Sequence, residues 1–300
     1  MIILYYFSGT GNSYYIAKEL SSKLPGSKII PIASILNKNT DENKKNHKKL
    51  STLTSDATTI GFIFPCHGLT IPFPVHCFLK RFSFNSSQYL FAIATRGGTI
   101  FRGFDTIDKI LKYQEKKLNA SFIIEMESND PKMKFFKVPT KEEIKTKEIN
   151  AIQKLNFIRD IVLGKKEYQD NINGATFTKS KLVNFVLERL TIFAVNHVSL
   201  LTKNYFYVNT KCTECGICKK VCPTNKIILT ENKPEWQRNI ECYLCYACVN
   251  FCPSEAIQIY SKFYMKSHTE ENGRYPHPYA SVEDMIFQKE NKMKSINEYA

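Results

Sequence analysis

The chain has one tryptophan and six histidines in 300 residues, and 28 acidic side chains stand against 42 lysines and arginines. Several signatures are missing. No glycine-rich loop ends in G-K-S/T, which excludes a Walker-type nucleotide site, and no G-x-G-x-x-G follows a strand, so direct use of a pyridine nucleotide is not suggested. The most apolar helical stretch, Leu182 to Thr202, is interrupted by Asn184, Glu188, Arg189 and His197. A charged group at mid-membrane costs about 2.5–3.5 kcal/mol, so a membrane span is not expected. The N-terminus has no basic run before its apolar stretch and does not read as a signal peptide.

Cysteine, by contrast, is concentrated. Eight of the ten cysteines fall in residues 212–252, in two copies of C-x-x-C-x-x-C-x-x-x-C-P. The first copy is Cys212, Cys215, Cys218, Cys222 and Pro223; the second is Cys242, Cys245, Cys248, Cys252 and Pro253. Three thiolates at this spacing wrap one cubane, and the fourth ligates the other cluster. The expectation is two 4Fe-4S clusters. Cys212, Cys215, Cys218 and Cys252 would hold one; Cys242, Cys245, Cys248 and Cys222 would hold the other. Zinc is the first alternative, but paired C-x-x-C knuckles leave the third cysteine and the C-P without a role. Disulfides are the second, and they belong to exported proteins. The segment resembles bacterial-type two-cluster ferredoxins over about residues 205–262.

The N-terminus carries a second signal. Residues 1–7 are apolar and aromatic, of strand length, as suits a strand buried on both faces. Ser8, Gly9, Thr10, Gly11, Asn12 and Ser13 follow, and Tyr14 to Leu24 reads as a helix stopped by Pro25-Gly26. Amides at such a strand–loop–helix junction attract anions. The loop looks like the phosphate loop of flavodoxins, which bind FMN. Residues 58–64 and 89–95 read as further strands, and 27–33 and 121–126 as two more. The loops Pro65-Cys66-His67-Gly68 and Thr95-Arg96-Gly97-Gly98 should meet the first loop at the carboxyl edge of an open parallel sheet.

Flavodoxins commonly stack an aromatic ring on the flavin. Here His67 and Phe101 are the nearest substitutes. Arg96 and Arg102 place positive charge where flavodoxins are neutral or acidic, which would stabilise a flavin anion. The two motif sets, in this order, resemble a family of flavodoxin–ferredoxin fusion proteins of anaerobes. That resemblance implies an α/β, doubly wound flavodoxin-like sheet and a small α+β two-cluster domain. The expected division is 1–130 for the FMN domain, 131–204 for a helical linker, 205–262 for the clusters and 263–300 for a tail. In the linker, helices are expected at 141–163 and from 182. The second would present Leu182, Val186, Leu190, Phe193, His197 and Leu201 as a packing face.

The formal net charge of +14 falls to about +8 once two clusters and an FMN phosphate add their negative charge. The lysines are scattered, so a solvated surface is the simplest reading and an acidic redox partner the next. Nucleic acid is not expected, since no basic stripe is interleaved with aromatics. Thiols and oxygen-sensitive clusters point to the cytoplasm. The function expected is intramolecular electron transfer between FMN and the clusters, exchanging electrons with a redox protein. Two alternatives stay open: a flavin-dependent reductase of a small substrate with His67 as proton donor, and an iron–sulfur regulatory module.

Overall fold

A computed structural model describes residues 1–37, 53–174, 178–197 (backbone alone for 194–197), 205–260 and 266–290. Six parallel strands form the main sheet: β1 (Ile2–Tyr6), β2 (Ser27–Pro31), β3 (Thr59–Pro65), β4 (Tyr89–Arg96), β5 (Ala120–Glu125) and β6 (Tyr168–Gln169). Their order is β2-β1-β3-β4-β5-β6. The first five strands have the flavodoxin-like order, in which the direction of winding reverses beside β1.

Strand alternation explains the two layers. Ile3, Tyr5 and Phe7 point into one core, together with Phe62, Phe64 and Phe78. Leu4 and Tyr6 point into the other, with Ile16, Leu20 and Phe122. Successive residues of a strand face opposite sides, so a strand apolar throughout needs a cover on each. Helices α2 (Phe73–Arg81) and α3 (Gly103–Lys112) supply residues to the first core. Helices α1 (Asn12–Lys23) and α4 (Lys141–Leu163) supply the second.

The α/β unit runs past residue 130, where the sequence placed its end. Helix α4 starts in a capping box between Thr140 and Glu143 and buries Ala151, Leu155, Ile158 and Val162 under the sheet. Strand β6 then pairs with β5. Two residues carry no readable alternation, and the break at Asn129-Asp130-Pro131 interrupts the chain without ending the layer.

The cysteine-rich module contains β7 (Phe206–Val208) paired antiparallel with β10 (Ile257–Ile259), and β8 (Ile227–Thr230) paired antiparallel with β9 (Lys233–Trp236). Two short helices, α6 (Ile217–Val221) and α7 (Ala247–Asn250), each carry the third cysteine of a triplet, Cys218 and Cys248. Its own core holds Phe206, Ile227, Val249, Ile257 and Ile259, and Trp236 packs there beside Phe206. Val221, Ala247 and Phe251 belong instead to the core that contains Leu4 and Tyr6, as do Ala280 and Met285 of the tail. The modules are therefore packed on one another. The tail helix α8 (Val282–Glu290) seals the seam: Lys289 donates to the carbonyls of Lys219 and Lys220 at the end of α6.

Helix α5 (Lys181–His197) departs from expectation. Leu182, Val186, Leu190 and Phe193 were expected to pack inward, and all four are exposed. The buried side chains are Asn184 and Glu188, each held by specific hydrogen bonds. The His197 side chain and Leu201 lie outside the described residues. Among those residues, no helix is long and apolar enough to cross a membrane.

Candidate functional site

The loop Ser8–Ser13 joins β1 to α1 and is buried along its whole length. Gly11 has φ of 106°, a region that a side chain disfavours. Its amide donates to Ser8 Oγ at 3.1 Å, which closes the turn. Ser13 Oγ bonds Thr95 Oγ1 at 2.8 Å, and the Cys66 amide donates to the Thr95 carbonyl at 2.8 Å. Thr95 thus ties the three predicted loops together at the carboxyl edge of the sheet.

Among the described residues, the amides of Gly9, Thr10, Asn12 and Ser13 have no protein partner. The Asn12 carboxamide donates to the Glu127 carbonyl at 2.9 Å, while its Oδ1 is buried without a hydrogen bond. A buried amide left unpaired costs about 1–3 kcal/mol, and four at one helix N-terminus make a cradle for an anion. With the hydroxyls of Ser8, Thr10 and Ser13 beside them, the donor set fits a phosphate monoester.

The outside of this loop is held by distant segments. Gln288 accepts from the Ser8 amide at 2.7 Å and donates to the Ser8 carbonyl at 2.8 Å. The His277 amide donates to the Thr10 carbonyl at 2.7 Å, and Ala280 and His277 crowd Gly11. Asn129 donates to Thr10 Oγ1. The backbone carbonyl of Cys245 abuts Gly9 so closely that no side chain fits there. The stiff turn at Gly273–Pro278 is visible in the sequence, but the grip of Gln288 on Ser8 is not, because hydrogen bonds across 280 residues leave no local pattern.

The loop after β3 turns through Gly68 and Leu69, both with positive φ. His67 and Thr70 exchange backbone hydrogen bonds at 2.9 and 3.1 Å. Burial lowers the His67 imidazole to about 4 and pushes the Cys66 thiol up to about 11. Both are therefore neutral at neutral pH. After β4, Gly97 lies against Ser128, whereas Gly98 faces open space apart from the edge of Glu125.

Three expectations about this edge change. The Arg96 charge does not stand alone: Nε donates to Glu125 at 2.8 Å, and the other nitrogens donate to the carbonyls of Ile172 and Asn173. Arg102 pairs with Glu188 at 2.9 Å. Each guanidinium has an acid beside it, so the surplus of positive charge is offset. Phe101 is fully buried between Phe64 and Phe104 and is not a stacking ring. The aromatic that does approach is Tyr243 of the second cysteine motif, 5.9 Å from Phe7 and 6.2 Å from Phe73 between ring centroids.

The eight cysteines divide into two groups. A cavity is lined by Cys212, Cys215, Cys218 and Cys252, with Leu229, Pro234 and Ile257 as its apolar walls. Cys222 lies instead with Cys242, Cys245 and Cys248, whose thiols it disfavours from ionising. These are the crossed sets that the spacing predicts. Glu214 and Leu244, and Gly216 and Tyr246, occupy equivalent places in the two copies, and all four have positive φ. These left-handed residues turn the chain so that three cysteines converge. The strain of Tyr246 in that region, of order 1–3 kcal/mol, is held by packing and by its hydroxyl bond to Tyr205 at 2.9 Å.

Burial dominates the thiol chemistry. It raises Cys218 to about 11 and Cys242 to about 12, with neighbouring thiols adding to both, and it raises Cys245 and Cys248 further. Metal ligation requires thiolates, so loading these sites must release protons. Amide donors already face two sulfurs: Leu244 to Cys242 at 3.4 Å and Ala256 to Cys252 at 3.2 Å. Such bonds tune a cluster's potential. The donor set fits iron–sulfur chemistry.

Residues 211–257 match the model of a family described as a 4Fe-4S dicluster domain. This part of the chain is an iron–sulfur cluster-binding region. No curated protein matches the chain. Among solved structures, a flavoprotein from Bacteroides uniformis is 20% identical, over 42% of this chain and 91% of its own, with a TM-score of 0.31. An FMN-dependent NADH-azoreductase from Bacillus anthracis is 8% identical, over 53% and 99%, with a TM-score of 0.31. The strand order β2-β1-β3-β4-β5 is what makes the sheet flavodoxin-like.

Proposed function

We propose that this protein transfers electrons within one chain, between an FMN at the carboxyl edge of the sheet and two 4Fe-4S clusters. The observation that carries the reading is the contact of Cys245 with Gly9, which seats one cysteine site directly on the phosphate loop. In this reading residues 1–130, completed by 141–169, are the flavin-binding unit. Residues 205–262 hold the clusters, and the segment after 266 straps the two together.

When bound, FMN exchanges one or two electrons and each cluster exchanges one. The chain's own residues position these groups. The amides of Gly9, Thr10, Asn12 and Ser13 hold the phosphate. Pro65, Cys66, His67, Gly68 and Thr95 to Gly98 border the isoalloxazine ring. Cys222, Cys242, Cys245 and Cys248 hold the cluster nearer the flavin loop. Cys212, Cys215, Cys218 and Cys252 hold the other, and the exposure of Cys215 leaves that side accessible to a redox protein. Tyr243 and Phe7 exclude water between the cysteine site and the sheet. A reductase using His67 as its acid is less well supported, because burial keeps that imidazole neutral.

The test is an anaerobic redox titration of the holoprotein with visible and EPR spectra, iron and FMN being quantified on the same sample. About eight irons and one FMN per chain are expected. Zinc in place of iron, or full clusters without any FMN after reconstitution, would refute the reading.

A further inference from the structure

We propose that helix α5 docks this protein onto an anionic lipid surface. The helix is inverted relative to an ordinary surface helix, whose apolar stripe faces inward. Its buried side chains are Asn184 and Glu188, 8% and 7% exposed. Asn184 bonds Thr178 in both directions, its Nδ2 donating to the Thr178 carbonyl at 2.6 Å and its Oδ1 accepting the Thr178 amide at 2.7 Å. Glu188 accepts from Arg102 at 2.9 Å. The other side presents Leu182, Phe185, Val186, Leu190 and Phe193, from 47% to 74% exposed. Their spacing of three and four residues makes one continuous stripe. A contiguous apolar stripe of large side chains marks an interaction surface, where scattered single residues would not.

Charge selects the occupant. Lys179, Lys181 and Arg189 are exposed along this segment. Glu188 is the sole acid in residues 178–193, and Arg102 consumes it. Lys179 and Lys181 thus give the start of the stripe a basic rim, and Arg189 stacks within it on the Phe185 ring at 5.1 Å, on a chain of net charge +14 before its cofactors are counted. A second copy would bring like charge against like. An anionic bilayer surface attracts the rim and accepts the leucines and phenylalanines into its headgroup boundary, while lysine and arginine stems reach back to the phosphates. Because Glu188 grips Arg102 in the loop after β4, a docked helix holds the carboxyl edge of the sheet beside the lipid. The docking itself does not depend on which cofactors are bound.

The test uses the full-length holoprotein in co-sedimentation with vesicles of phosphatidylcholine alone, or of phosphatidylcholine mixed with phosphatidylglycerol. Binding to the anionic vesicles should be about tenfold tighter or more, and should weaken with salt. The double substitution Leu190→Ser/Phe193→Ser should reduce it by about tenfold or more, with iron content unchanged. Lys181→Glu, which leaves the apolar stripe intact, should weaken binding to the anionic vesicles alone. Equal binding to both vesicle types, no binding, or binding indifferent to these substitutions would overturn the proposal. So would a dimer in light scattering that the double substitution converts to monomer, since the face would then belong to a second copy.

Discussion

The carbonyl oxygen of Cys245 stands where a β-carbon on Gly9 would have to go. One residue belongs to the second cysteine motif and the other to the loop between β1 and α1. Since the obstacle is backbone, it cannot swing aside as a side chain would. Gly9→Ala should therefore destabilise the chain by about 1–3 kcal/mol, the usual cost of overpacking, and should weaken FMN binding. Anaerobic urea unfolding and a flavin fluorescence titration measure the two effects. Unchanged values in both would mean that the two sites do not touch.

Cys222 lies in the first cysteine motif but sits with the second triplet. Cys222→Ala should disable the site of Cys242, Cys245 and Cys248 and spare the cavity of Cys212, Cys215 and Cys218. Iron should fall from about eight to about four per chain, with one cluster signal remaining in EPR. Loss of the other cluster instead would show that ligation is not crossed.

Gln288 is the tail's two-point hold on the loop between β1 and α1. Gln288→Ala removes both partners of the Ser8 backbone and leaves a buried amide and carbonyl, at about 1–3 kcal/mol. FMN affinity should drop by about tenfold, while iron content stays the same. An unaltered flavin affinity would reduce Gln288 to a packing residue.

His277 gives the tail a pH dependence. It is 1% exposed, its ring stacks on Tyr15 at 4.5 Å, and Nε2 lies 3.4 Å from Glu148. Burial lowers its pKa to about 4, against about 6.5 in the unfolded chain. The folded state thus favours the neutral ring. That contribution is fully present above about pH 6.5 and is lost as pH falls towards 4, to at most about 3 kcal/mol. Glu148, raised by burial, acts in the opposite sense within the carboxylate range. Urea unfolding at pH 7 and pH 5 should show a smaller loss for His277→Gln than for the parent chain. Equal losses would mean that His277 is not held neutral.

Arg96 supports architecture rather than flavin charge. Its bonds to Glu125, Ile172 and Asn173 pin residues 172 and 173 across the edge of the sheet. Arg96→Met should cost about 1–3 kcal/mol, because it strips the carbonyls of Ile172 and Asn173 of their donor while Glu125 keeps contact with water. Arg96→Met/Glu125→Gln should shift the flavin midpoint by less than about 30 mV. A larger shift in the double variant would restore a direct electrostatic role.

Much of this molecule was legible from the sequence because its signals are local. Strands β1, β3 and β4 declare themselves by unbroken apolar runs, and the loop from Ser8 to Ser13 by small residues between a strand and a helix. The cysteine spacing carries its own geometry. The first strand–loop–helix unit and each cysteine triplet depend on neighbours in the chain; the fourth cysteine of each set comes from the other motif, as the spacing rule for paired clusters expects.

Tertiary structure decided what local pattern does not encode. The same apolar spacing in α5 suits an inward or an outward face, and the partners of Asn184 and Glu188 turned it outward. Arg96 and Arg102 were visible as charges, but the acids that offset them come from other elements. Tyr243 reaches the sheet from a motif more than two hundred residues beyond β1, and Gln288 grips Ser8 across 280 positions. Such contacts are set by how buried surfaces and unpaired backbone groups are satisfied in the packed whole, and that balance is struck only when distant segments meet.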